Sequence, residues 1–296
     1  MRILVDCNNI GFNAHYSSGE LSSGDMRTGV IFGFLRTVFS IADRFNTTQF
    51  VFCWDSRQSY RKKIYPEYKG KRKERRDKMT PEQREGIRRA RLQFVELRKY
   101  VLPTMGFANN PFKTGYEADD LIAAIVRADR ETEFCILSSD NDLYQLLGYN
   151  CFMFNNVTKE KMAAKRFRME YGISYKKWVL AKAIGGCNGD DVAGIVGAAD
   201  PKSNPRSKAL QYIRGELTKG VVFDRIESKE GAEIIARNKK LVRVPFLLNG
   251  KVELKVNVKK RDDFKKEKWL EVFRHYDFRY FMQEEQMERL EELFRL

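Results

Sequence analysis

The chain has 296 residues, 55 of them Lys or Arg and 40 Asp or Glu, which gives a formal net charge of +15 beside an ordinary apolar fraction of 43%. That length suits one large domain or two smaller ones, each with a core of its own. The N-terminus carries one basic residue, Arg2, and three apolar residues between it and Asp6, and no run of about 18 apolar residues occurs, so secretion and membrane spanning are not expected.

In chain order, "RILVD" (residues 2–6) reads as a short buried strand, and Ile31, Phe34, Leu35, Val38, Ile41, Ala42 and Phe45 then recur at helical spacing. A second strand, "QFVFCWD", follows at 49–55. Residues 57–78 hold eleven Lys or Arg against Glu67, Glu74 and Asp77, an excess that attracts a polyanion. Nucleic acid is favoured over an anionic membrane, because no amphipathic apolar face accompanies the run. Thr80, Pro81 and Gln83 form a capping box, and Ile87, Ala90, Phe94, Leu97 and Val101 mark one narrow stripe. Residues 57–100 are therefore expected to be an insertion projecting from the sheet.

The helix of "EADDLIAAIVRA" precedes a third strand, "EFCILSSD" (133–140), and "CFMF" (151–154) is a fourth. This alternation predicts an α/β fold around a largely parallel sheet flanked by helices. After about Tyr171, helical and basic segments dominate, which places a division near 175/176 between a core and a helical C-terminal region. The loop "GGCNGDDVAG" (185–194) opens that second part, "DPKSNPRS" (200–207) is a loop, and "VKKRDDFKKEK" (258–268) is expected to be mobile.

Cys7, Cys53, Cys135, Cys151 and Cys187 are scattered without a C-x-x-C pair, which points to a reduced, cytoplasmic setting. With only His15 and His275 available, zinc is not expected.

The acids are placed more informatively. Asp6, Asp55 and Asp140 end three strands, and Asp142 follows two residues later. The carboxyl ends of parallel strands share one edge, where ligands bind. Glu117 and Asp120 share a helical face and Asp119 sits in the same turn, so seven carboxylates converge. Complementing the helix dipole accounts for the last three locally, but like charges packed together need a cation among them. An all-oxygen set favours Mg²⁺ or Mn²⁺. An EF-hand reading of "DNDLYQLLGYNC" fails at Gln145 and Cys151, and no Walker sequence is present. A carboxylate-lined, two-metal site beside a basic insertion suits phosphodiester hydrolysis.

The ordered runs "LVDCNN", "CWDSRQSYRKKIYPEYKGKR", "YEADDLIAAI", "LSSDNDLYQLL" and "GGCNGDDVAGI", with "RNKKLVRVP" (237–245) further on, resemble the flap endonuclease or 5′-nuclease superfamily. The likeness is greatest to bacteriophage and bacterial 5′→3′ exonucleases, including phage ribonuclease H. The resemblance implies a PIN-like nuclease core with a basic helical arch, and a helix-three-turn-helix element in the C-terminal region that grips duplex DNA with a monovalent cation. Carried over, Asp6, Asp55, Glu117, Asp119, Asp120 and Asp140 match inner metal ligands, while Asp142 and Asp190 match a second site. Tyr68, Lys69 and Arg72 match arch-base residues, the tyrosine stacking near the scissile nucleotide and the cations meeting the phosphate. Arg57, Arg61, Lys62, Lys63, Lys71, Arg75, Arg76 and Lys202 are the expected DNA-facing cations.

The implied substrates are flaps, nicked DNA and RNA–DNA hybrids. The implied partners are a replication polymerase or single-strand-binding protein, met by a monomer in a bacterial or virus-infected cell. Three departures stand out: Cys187 where the family has an acid, Cys7 where it has glycine, and "GIVGAADPKSNPRS" where a Gly-Ile-Gly loop is expected. A thiol is a poor magnesium ligand. The alternatives are a catalytically weakened DNA-binding protein of the same fold, and a PIN-type ribonuclease.

Overall fold

A computed structural model describes residues 1–296 apart from 24, 25, 149, 249, 252, 253 and 260. Its central sheet contains β1 (Arg2–Asp6), β2 (Phe50–Cys53), β3 (Phe134–Leu137), β4 (Cys151–Asn155) and β5 (Glu160–Met162), in the order β2-β1-β3-β4-β5. The first four pair in parallel and β5 is antiparallel. Continuous apolar runs form these strands because both faces are covered. Ile3, Val5, Phe50, Phe52, Cys135 and Leu137 enter one core, while Leu4, Val51, Cys53, Phe134 and Ile136 enter the other. The α/β expectation matches. Strand β5 was not anticipated, since only Met162 of its three residues is buried. The free edge of β2 is covered by a following segment, with Phe52 N donating to Asn109 O at 2.8 Å and Trp54 N to Pro111 O at 3.2 Å.

On the first face lie α1 (Cys7–Ser18) and α2 (Gly29–Phe45). The basic segment supplies α3 (Arg61–Ile64), α4 (Lys71–Asp77) and α5 (Pro81–Glu96). The capping box forms as expected, with Gln83 N donating to Thr80 Oγ1 at 3.2 Å and Thr80 N to Gln83 Oε1 at 3.0 Å. The expected insertion stands off the core only in part: the described side chains of α4 and the first residues of α5 are exposed, whereas later in α5 Ala90 and Phe94 enter the first core and Gln93 is buried beside it. Gly11 makes this approach possible: a Cβ there would lie 2.4 Å from the Phe94 ring. Gln93 Oε1 also accepts from Val30 N and Ile31 N at 3.1 and 3.2 Å, and so caps the start of α2 from 62 or more residues away.

The other face is covered by α6 (Ala118–Ala128), α7 (Ala164–Tyr171) and α8 (Trp178–Gly185). Next come α9 (Lys208–Arg214), α10 (Val221–Glu227) and α11 (Lys229–Val242), beside a smaller cluster of Ile184, Ile195, Ala198, Ala209 and Ile226. The last helices, α12 (Lys266–His275) and α13 (Glu284–Phe294), return to the first core. There Trp269 stacks 5.3 Å from Phe39 and donates Nε1 to Met105 O at 2.7 Å.

The run 258–268, of which Lys260 lies outside the described residues, is hydrogen-bonded to the segment after β2 at Lys259 and Asp262. Lys259 N donates to Asn109 Oδ1, and Ala108 N to Asp262 Oδ1, each at 2.7 Å. The five cysteines are free and buried. Among the described residues no helix is long and apolar enough to cross a membrane.

Candidate active site

Asp6 is the last residue of β1 and the N-cap of α1, accepting from Asn9 N at 3.1 Å and from Ser138 Oγ at 2.8 Å. Asp55, two residues past β2, accepts from Ala118 N at 2.7 Å, which fastens the start of α6 to the strand end. Asp140, just past β3, caps a short 3₁₀ turn by accepting from Asp142 N at 2.9 Å. Asp119 stands in the first turn of α6.

These four acids affect one another electrostatically. Burial, then Asp55 and Asp140, push the Asp6 carboxyl up to about 7. Burial, then Asp140, Asp6 and Asp55, carry Asp119 well above the usual carboxylate range. Asp55 is raised by burial and by Glu117, and Asp140 by burial and by Asp142. Carboxylates that resist ionisation together, all offering oxygen, fit a hard divalent cation.

The remaining acids already have protein partners. Asp120, fully buried, takes both Arg61 guanidinium nitrogens at 2.8 Å, accepts from Glu117 N at 3.0 Å and accepts from Phe246 N at 2.7 Å. Two expectations are corrected together: Asp120 is not free to hold a metal, and Arg61, only 2% exposed, is not a DNA-facing cation. Buried charges persist when paired and hydrogen-bonded in this way. Glu117 Oε2 accepts from Lys69 Nζ at 2.8 Å and from Tyr68 OH at 3.0 Å. Against the upward push of burial, Lys69 and Arg61 hold its carboxyl down at about 2.

Tyr68 corrects a further expectation. It is 2% exposed, its hydroxyl bridges Glu117 and Asp190 (2.9 Å to the latter), and its ring packs with Cys187, Val192, Leu241 and Val242. No ring face is open to a nucleotide. Lys69, at φ 56°, takes a left-handed backbone that costs a non-glycine residue about 1–2 kcal/mol. Its N–H donates to Asp190 O at 2.8 Å, and its Nζ lies 3.5 Å from the Asp190 carboxylate. Arg72, largely exposed, reaches the same carboxylate at 3.2 Å. The loop carrying Asp190 is held by a close backbone crossing, since a Cβ on Gly194 would lie 2.3 Å from the Gly185 carbonyl carbon.

Asp142, Cys187 and Asp190 form a second cluster whose potential ligand atoms lie within 4.8 Å of one another. Sequence reading missed its central cation. Lys182, 1% exposed, places Nζ 3.0 Å from Asp142 and 3.5 Å from Asp200. A single lysine inside the apolar "WVLAKAIGG" was the available signal. Lys182 holds the Asp142 carboxyl below its ordinary value against the effect of burial, and burial and then Asp142 push the Cys187 thiol up. A protonated thiol beside an ammonium-paired carboxylate suits a hard cation less well than the first cluster does. Asp200, the only acid in "GIVGAADPKSNPRS", also accepts from Asn188 N and Lys202 N, each at 3.0 Å, so it is committed within the loop assigned to a monovalent cation.

Arg57, Lys62, Lys63, Lys71, Arg75, Arg76 and Lys202 are exposed. Lys202 is near enough to draw the pKa values of Asp140 and Asp142 downward.

Residues 1–172, more than half of the chain, match the family described as 5′-3′ exonuclease, N-terminal resolvase-like domain. A 5′-3′ exonuclease of Aquifex aeolicus is 26% identical over 248 residues, covering 81% of this chain and 80% of the relative. A DNA polymerase I of Caldicellulosiruptor bescii is 23% identical over 296 residues, covering 94% of this chain, which spans 32% of that polymerase. Among solved structures, the T5 5′-exonuclease with bound divalent zinc ions is similar, with a TM-score of 0.66 and 19% identity, covering 82% of this chain and 89% of that one. This last likeness concerns the fold.

Proposed function

The chain belongs to the 5′-3′ exonuclease family, and from that premise we propose that it is a metal-dependent nuclease that hydrolyses phosphodiesters near the 5′ ends of DNA flaps or RNA primers. The observation that carries the reading is the cluster of Asp6, Asp55, Asp119 and Asp140 at the carboxyl edge of the sheet, each raised in pKa, with Lys69 and Arg72 near enough to Asp55 to act against that rise. Those four carboxylates would hold Mg²⁺ or Mn²⁺, whose chemistry is to acidify a bound water and polarise a phosphoryl oxygen.

The protein's own part is positioning and charge. Lys69 and Arg72 neutralise the phosphate, while Glu117 and Asp190 keep their side chains aimed at it until substrate arrives. Tyr68 serves as the strut that locks those two acids together. The exposed cations of the basic segment hold the nucleic acid backbone without reading sequence. Branched or nicked DNA and RNA–DNA hybrids are the proposed partners.

Asp55→Asn and Asp140→Asn should each abolish Mg²⁺-dependent cleavage of a 5′-labelled flap while leaving flap binding measurable. Full activity in either variant refutes the assignment. A second reading, a structure-specific binder with weakened catalysis, draws on Cys187 and on the Lys182–Asp142 pair. It predicts no product from the parent at any Mg²⁺ or Mn²⁺ concentration, with activity appearing in Cys187→Asp.

A further inference from the structure

On the flank of the fold lies a cavity of about 890 Å³, within the size range of ligand pockets, of which the nuclease reading uses only Lys63. Its apolar lining is aliphatic, supplied by Ile64, Val179, Leu180, Leu247 and Leu248. Its rim carries Lys63, Arg127, Lys176, Lys239, Lys240 and Arg243, and among the described residues no carboxylate lines it. None of the six cations enters an ion pair among the described residues. The Arg127 guanidinium is lowered in pKa by burial and by the nearby Arg243, as expected of cations gathered without a counter-charge.

The cavity is built before any ligand arrives. Arg61 Nε donates to Leu241 O at 2.8 Å, Asp120 accepts from Phe246 N at 2.7 Å, and Gln145 accepts from Val244 N at 2.9 Å and donates to Val242 O at 3.0 Å. The buried pair that is withdrawn from metal and DNA thus pins the wall of this second site. Complementing helix dipoles accounts for Arg127 and for Lys239 and Lys240, which lie in the last turns of α6 and α11. It does not account for Lys176, Arg243 or the apolar lining.

We propose that this cavity docks an acidic peptide segment of a partner protein, with aliphatic side chains seated on the apolar lining and carboxylates on the cationic rim. The aliphatic lining finds no partner in a duplex phosphate backbone, and the absence of an open aromatic face disfavours a single strand, which binds through base stacking as well as phosphate contacts, so an acidic peptide with aliphatic side chains is the occupant that matches both charge and lining. Of the lining aromatics, Phe246 is 2% exposed beneath the Arg61 guanidinium, and Tyr60 lies under Lys63 Nζ at 4.9 Å and edge-on to Tyr116. Helix α6 begins at the carboxylate cluster and reaches this rim nine residues later, about 13 Å along its axis, so a docked partner sits beside the nuclease centre without covering it.

The test is fluorescence anisotropy of the whole chain with a short fluorescein-labelled peptide that alternates aspartate and leucine. Binding should weaken by about tenfold or more in the double variant Lys239→Glu, Lys240→Glu, and likewise when serine replaces leucine in the peptide. Cleavage of a free flap by the double variant should match the parent, which also shows that the variant is folded. Equal binding of the serine peptide would reduce the cavity to diffuse charge and overturn the proposal. Undiminished binding to the double variant would place the peptide elsewhere. Displacement of the peptide by oligothymidylate, with a matching loss of oligothymidylate binding in the double variant, would make the cavity a nucleic acid site.

Discussion

Lys69 joins an unfavourable backbone conformation to two carboxylates, so its loss should be felt at the reacting phosphate and not in the fold. Lys69→Ala is expected to slow single-turnover cleavage by roughly 10²–10³, the scale of losing one charge-stabilising donor, with divalent-ion binding by calorimetry unchanged. An unaltered single-turnover rate rejects the role. Asp6 makes a pH prediction. Held up at about 7 in the fold against 3.8 otherwise, it keeps a proton that the unfolded chain has lost. Its contribution is full below the lower value and disappears as pH rises through the upper one, at no more than about 1.4 kcal/mol per pH unit for one proton. Glu117 has the opposite sign, but its contribution is lost only as pH falls from 4.5 toward about 2, outside that window. The urea midpoint of the metal-free protein should therefore fall between about pH 5 and pH 7, and added Mg²⁺ should flatten the slope. A midpoint that climbs over this range contradicts the mutual repulsion of the acids.

At the scale of elements, α5 is where pattern and packing diverged. Its stripe of Ala90 and Phe94 was legible, yet the flanking charges made a projecting arch the natural expectation. Gly11 and the Gln93 side chain draw the later part of α5 onto the core, because one removes a steric obstacle and the other satisfies two buried N–H groups of α2. Phe94→Ala should destabilise the protein by about 3–5 kcal/mol, and Gln93→Ala by about 1 kcal/mol, both read from chemical denaturation. A shift in Phe94→Ala no larger than that of an exposed substitution would mean that α5 stands off the core. Strands β1 to β4 were readable because a strand buried on both faces must be continuously apolar. Strand β5 was not, because its pairing with β4 rests on backbone hydrogen bonds and one buried methionine.

Across the whole molecule, the carboxyl-terminal helices share the core of the amino-terminal sheet through Trp269, Phe273 and Phe294. Trp269→Ala should cost about 3–5 kcal/mol and lower one common unfolding transition, seen alike by near-ultraviolet dichroism and fluorescence. Two separated transitions in the parent would contradict a shared core. Order along the chain was enough to place Asp6, Asp55 and Asp140 at one edge, since parallel strands deliver their carboxyl ends together whatever surrounds them. Local pattern likewise marked the basic segment and the first turn of α6. It did not reveal which charges would be spent on one another: Asp120 meets Arg61 across 59 residues, and Asp142 meets Lys182 across 40. An ion pair depends on the distance between two side chains and on how far both are withdrawn from water, and neither exists until the chain has packed.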